Sequence, residues 1–240
     1  MPRRLPVTLS RRAVIGLAAT SVAAATARAQ QPVDVLLVMA VDASGSVNQR
    51  RFELQRQGYA EAFRDKDVLE AIRSNRHGAV AVTMTQWTGP TLQMQVVPWM
   101  RVADEATIEA LAAAIERAPR QLHGGGTSIS GAIDHGMKLL QQSPFSAPRR
   151  VIDVSGDGAN NRGRPANAAR DDAAAAEVTV NGLPIMSIEP DLDTYYQDNV
   201  IGGPDAFMVV AEDYETFAVA VRRKLIKEIS SDMRDSPSPT

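Results

Sequence analysis

The chain has 240 residues, no cysteine, and 26 basic residues against 28 acidic ones, a formal charge of −2. Without cysteine there are no disulfides, thiolate metal sites or cysteine nucleophiles, so apolar burial must hold the fold; the length suffices for one domain with a substantial core. The acidic balance, with no basic stripe, argues against nucleic-acid binding, which needs a basic face to neutralise phosphates.

At the N-terminus, Arg11-Arg12 precede a mildly apolar, alanine-rich stretch that ends at Ala27-Arg28-Ala29, the small-x-small pattern of an export signal. The paired arginines point to the twin-arginine route. The stretch from Ala13 to Ala27 contains Gly16, Thr20, Ser21 and Thr26 and is shorter than the roughly 20 apolar residues a membrane span requires. Residues 1–29 are therefore expected to be a cleaved signal, residues 30–232 a single domain and residues 233–240 an unpacked polar, proline-rich tail. Cleavage removes five arginines and no acidic residue, takes the charge to −7, and implies a periplasmic or secreted protein without a stable membrane span.

Next comes the apolar run Val33–Val41, rich in branched residues and bounded by turn formers, as a strand buried on both faces should be. Similar runs occur at Ala79–Thr85, Val151–Ser155, Val178–Ile188 and Ala206–Val210. Thr91–Trp99 is expected to pair with Ala79–Trp87 across Gly89-Pro90 as a hairpin, and Pro98 suits an edge strand. Between the strands lie stripes of helical period: Ile108, Leu111, Ala112 and Ile115; then Ile129, Ile133, Met137 and Leu140; and finally Tyr214, Phe217, Ala218, Val221, Leu225 and Ile229. The alternation predicts an α/β, doubly wound, mostly parallel sheet with one antiparallel edge strand and helices on both faces, whose ligands sit beyond the carboxyl ends of the strands.

Three turns following these elements carry oxygen donors. Asp42-Ala43-Ser44-Gly45-Ser46 closes the first strand with one carboxylate and two hydroxyls; Thr127 follows Gly124-Gly125-Gly126; Asp157 follows Val151–Ser155. Hard divalent cations prefer such ligands, with Mg²⁺ the first choice and Mn²⁺ or Ca²⁺ close behind. Each turn also has an ordinary reading: a serine cap at a helix start, a threonine cap, and an aspartate that only forms a turn. The Gly126–Gly131 spacing resembles a phosphate loop, but Ala132 stands where the lysine must be. Asp153, inside a predicted strand, is expected to be a hydrogen-bonded structural carboxylate.

The D-x-S-x-S, Gly-Gly-Thr and Asp-Gly turns, in this order and spacing, resemble the von Willebrand factor A domain and its metal-ion-dependent adhesion site, from about Val33 to about Ser230. The run Val151-Ile-Asp-Val-Ser-Gly-Asp-Gly-Ala-Asn-Asn-Arg-Gly-Arg-Pro165 is most similar to an uncharacterised bacterial family of exported proteins of this type. The resemblance implies a metal site of Asp42, Ser44, Ser46, Thr127 and Asp157, with the serines and threonine coordinating directly and Asp157 through water. Gly156 departs from the threonine common at that place. The resemblance also implies a binding module that captures an acidic side chain of a protein partner, and a last helix able to shift on binding. The alternative is a metal-assisted hydrolase of phosphate or ester substrates, for which His123 is the best base. No H-E-x-x-H or G-x-S-x-G motif is present. A regulatory partner for a cytoplasmic ATPase fits the fold but not the export signal. Of Tyr195 and Tyr196, one is expected to pack into the core, and so are Trp87 and Trp99.

Overall fold

The computed structural model describes Met1 and residues 30–230, so the expectations for the signal and the tail lie outside the described residues. The short β1 (Gln31–Pro32) is followed by β2 (Val35–Asp42), which is buried at all eight positions. Its odd positions, Val35, Leu37, Met39 and Val41, face one apolar layer, while Leu36, Val38 and Ala40 face another. An unbroken apolar run is what a strand covered on both sides requires.

The chain then crosses one face in α1 (Gln49–Phe63), capped by the Asn48 side chain, and α2 (Lys66–Arg73), capped by Asp65. β3 (Val80–Trp87) pairs parallel to β2, and β4 (Gln93–Val102) returns antiparallel beside it as the predicted edge strand. α3 (Glu105–Arg117) starts from a reciprocal cap between Asp104 and Thr107, and α4 (Ile129–Gln141) crosses to the opposite face. β5 (Phe145–Ser146) pairs with β1; β6 (Arg149–Gly156) joins the other side of β2. α5 (Ala166–Ala175), β7 (Thr179–Pro184), α6 (Leu192–Asn199) and α7 (Phe217–Ile229) complete the order.

The main sheet runs β4-β3-β2-β6-β7, parallel except for the β3–β4 pair. Apolar residues of α1, α2, α3 and α7 fill one face, those of α4, α5 and α6 the other. From β2 the chain turns to β3 on one side and later to β6 on the other, so the carboxyl ends of β2 and β6 meet at the switch point where such sheets bind ligands.

Three expectations are corrected. Ala206–Val210 is not a full strand but runs beside β7 through isolated bridges, Gly182 to Met208 and Ile185 to Ala211. The ladder begins with Gly182 N donating to Phe207 O and Val209 N donating to Gly182 O, then breaks at Pro184, which has no N–H to give. β7 ends at Pro184, well short of Ile188, opposite Gly156, the last residue of β6. The last helix starts at Phe217 rather than Tyr214, whose ring is drawn toward the metal-site turn.

Candidate metal centre

Asp42, the last residue of β2, is fully buried. Its Oδ1 accepts from the Ser44 N–H at 2.7 Å, and the Gln55 amide of α1 donates to its carbonyl at 3.1 Å. Its Oδ2 has no hydrogen-bond partner among the described residues. Burial, with Asp157 nearby, pushes the carboxyl up to about 7, although the Ser44 N–H opposes the shift.

The serine hydroxyls lead from Asp42 to the second aspartate: Ser44 Oγ and Ser46 Oγ lie 3.1 Å apart, and Ser46 Oγ donates to Asp157 Oδ1 at 2.6 Å. Neither serine caps α1, since Asn48 does, and Thr127 does not cap α4, since Ser128 Oγ accepts from Gly131 N at 3.2 Å. The capping alternatives for all three hydroxyls are thereby removed.

The Thr127 turn is tied to the Asp157 turn by its backbone. Thr127 N donates to Asn161 Oδ1 at 3.0 Å, and Thr127 O accepts from Asn161 N and Arg162 N at 2.9 and 3.1 Å. A Cβ on Gly158 would stand 3.9 Å from Thr127 Oγ1, and one on Gly45 would stand 3.8 Å from Gly124 Cα, so all three turns are in contact. Gly124, Gly125 and Gly126 all take positive φ, between 68° and 92°, which explains three glycines in a row.

Several groups of the site escape sequence reasoning because they arrive from distant elements. Tyr214 OH donates to Asp157 Oδ2 at 2.9 Å; Arg51 of α1 reaches the same oxygen at 3.4 Å and the Ser46 carbonyl at 2.8 Å, stacked 5.3 Å over the Tyr214 ring. Arg120 donates to the carbonyls of Ala43 and Ser44 at 3.0 and 3.1 Å, holding the first turn from outside. Glu189 accepts from Ala159 N at 2.9 Å beside the Asp157 turn. A polar-tipped aromatic at the head of the last stripe is the one signal that could have marked Tyr214.

Other candidates lie apart. Asp153 projects from β6 toward α7 and pairs with Lys224 at 2.7 Å, the structural role expected of it. His123 is exposed on the loop before Gly124. Tyr196 is the buried tyrosine of its pair, and Trp87 is fully buried while Trp99 is half-buried.

The donor set fits a hard divalent cation: two carboxylates, three uncapped hydroxyls, and a buried carboxylate oxygen with nothing to accept from. Leaving that oxygen ionised without a counter-charge would be costly.

No curated protein matches the chain. Among solved structures, the von Willebrand factor type A protein from Catenulispora acidiphila superposes with a TM-score of 0.58 at 18% identity, over 82% of this chain and 43% of that one. Proximal thread matrix protein 1 from the mussel byssus, described with a zinc-occupied MIDAS motif, gives 0.60 at 15% identity over 82% and 48%. The vWF domain of the type V pili tip protein Mfa5 from Porphyromonas gingivalis gives 0.57 at 10% identity over 83% and 97%. The chain spans less than half the length of the first two. These likenesses show the von Willebrand factor A fold. No helix among the described residues is long and apolar enough to cross a membrane. Residues 32–233 match one family model over most of the chain, and the protein belongs to that family, described as a protein of unknown function, DUF1194.

Proposed function

We propose that the protein is an exported, divalent-cation-dependent binding module, in which Asp42, Ser44, Ser46, Thr127 and Asp157 hold the cation. The observation that carries this reading is the buried, unpartnered Oδ2 of Asp42, next to a hydroxyl chain that ends 2.6 Å from Asp157. A hard cation bound there supplies charge compensation and a free coordination position for a carboxylate from a partner protein. Mg²⁺ fits the donor set best, with Mn²⁺ and Ca²⁺ next. The zinc-occupied motif described for the mussel protein supports a divalent cation in this architecture. Asp42 positions the site, the three hydroxyls contribute neutral oxygens, and Asp157 is held in place by Tyr214 and Arg51.

Thermal unfolding of the purified protein with each cation and with chelator tests this reading. A rise in unfolding temperature with Mg²⁺ or Mn²⁺, absent in Asp42→Ala, is expected, and cation-dependent capture of an acidic protein ligand should disappear in the same variant. Stability indifferent to every cation would refute the metal site; capture surviving both chelator and Asp42→Ala would refute its role in binding.

A further inference from the structure

Behind the candidate centre lies a second polar assembly. Tyr196 of α6 is fully buried, and its hydroxyl, like Asp42 Oδ2, has no hydrogen-bond partner among the described residues. Both oxygens point to one spot, the place a side chain at residue 156 would occupy. A Cβ on Gly156 would stand 3.0 Å from Asp42 Oδ2, 3.1 Å from Tyr196 OH and 3.2 Å from Trp87 Cζ2.

The sheet is shaped for this ring. On the neighbouring strand, a Cβ on Gly182 would come 2.7 Å from Tyr196 Cδ1. Gly182 pairs with Val154 of β6, two residues before Gly156, and β6 pairs in turn with β2. Two glycines on adjacent strands thus open a slot across which the tyrosine lies, its hydroxyl end directed at the end of β2. Burying a phenolic hydroxyl without a partner costs free energy that phenylalanine would avoid. A tyrosine in such a slot therefore calls for a use of the hydroxyl.

We propose that Tyr196 is a positioning residue for the cation site: its hydroxyl donates to Asp42 Oδ2 when the carboxylate is engaged by the cation, taking the place of the side chain that residue 156 lacks. A carboxylate offers about four lone-pair sites. The Ser44 N–H takes one on Oδ1; a phenolic donor on Oδ2 fixes the plane of the group and leaves the rest to the metal. Donors to ligating carboxylates orient them, and their loss typically weakens metal binding about 10–100-fold.

This inference rests on the metal reading, and calorimetric titration of the full chain with MgCl₂ separates the two. Wild type, Tyr196→Phe, and Tyr196→Phe combined with Gly156→Ser are compared, together with their unfolding temperatures in chelator. Tyr196→Phe is expected to bind Mg²⁺ at least about tenfold more weakly while its cation-free unfolding temperature stays level or rises. Gly156→Ser, which brings a hydroxyl back beside Asp42 from the other side, is expected to recover much of the loss. No Mg²⁺ binding by wild type would remove the metal reading and this inference together. Equal affinity of wild type and Tyr196→Phe would overturn the inference alone. So would weaker binding matched by a lower cation-free unfolding temperature, because Tyr196 would then act only through packing.

Discussion

At the level of single residues, the two aspartates of the site meet burial in opposite ways. Asp157 is surrounded by donors: Ser46 Oγ on one oxygen, Tyr214 OH and Arg51 on the other. Asp42 accepts from the Ser44 N–H on one oxygen, and its second has no hydrogen-bond partner among the described residues. Asp157 is therefore held in place by its own donors, whereas burial of Asp42 raises its carboxyl to about 7. Tyr214→Phe should destabilise the cation-free protein by about 1.5–3 kcal/mol, the range for a hydrogen bond to a charged group, and toward its lower end because Arg51 still faces the same oxygen. Urea unfolding in chelator at neutral pH measures this; an unchanged midpoint would mean that the tyrosine does not support Asp157. The candidate oxygen donors of the first turn were legible because D-x-S-x-S lies in five consecutive residues. Their supports were not: Arg51 and Tyr214 stand 106 and 57 residues from Asp157, and no period or spacing links them.

At the level of elements, α7 shows where sequence patterning stops. Its apolar stripe predicted a helix on the sheet, and Phe217, Val221, Leu225 and Ile229 do pack there. Lys224 and Glu228 are charged, which by type suggests solvent, yet they fall seven residues from Phe217 and Val221 on the same face, and both are buried. Lys224 Nζ lies 2.7 Å from Asp153 and 3.1 Å from Glu228, while Asn181 of β7 donates to Glu228 at 2.8 Å. Burial, and then Glu228, push the Asp153 carboxyl above the ordinary carboxylate range against the pull of Lys224. The network joins α7 to β6 and β7, so any axial shift of this helix must break it. Lys224→Met, which leaves two buried carboxyl groups without their cation, should cost about 3–5 kcal/mol. Adding Asp153→Asn and Glu228→Gln should recover most of that loss, since replacing a whole buried ion network is often nearly neutral. Denaturant unfolding of the single and triple variants tests the idea; equal losses in both would mean that the cost does not come from carboxyl groups left without their cation. The same limit applies to β7, where an apolar run suggested a strand to Ile188 but the pairing stops at Pro184 because the partner strand β6 ends at Gly156.

At the level of the whole molecule, the fold class was readable because alternating apolar runs and helical stripes leave few ways to bury both faces of a sheet. The order β4-β3-β2-β6-β7 then brings the three turns together, a placement that no local pattern encodes. The balance of carboxyl groups makes stability depend on pH in a way that the cation should reverse. Exposed Asp104, Glu109, Glu116 and Asp213 lie below their ordinary values through hydrogen bonds from Thr107, Arg64 and Thr216, so their contribution is present above those values and lost in acid. Asp42 and Asp153 do the opposite. With Asp42 near 7 folded against 3.8 unfolded, and Asp153 raised in the same direction, the folded state binds more protons across that interval, and stability falls as pH rises through it. Cation binding requires Asp42 to give up its proton, so affinity grows over the same interval. Asp153 contributes equally with and without cation and cancels in the difference. The Mg²⁺-induced rise in unfolding temperature should therefore increase steadily from pH 5 to pH 8 and level off above. A rise that is constant with pH, or largest at pH 5, would mean that Asp42 is not the carboxylate the cation engages.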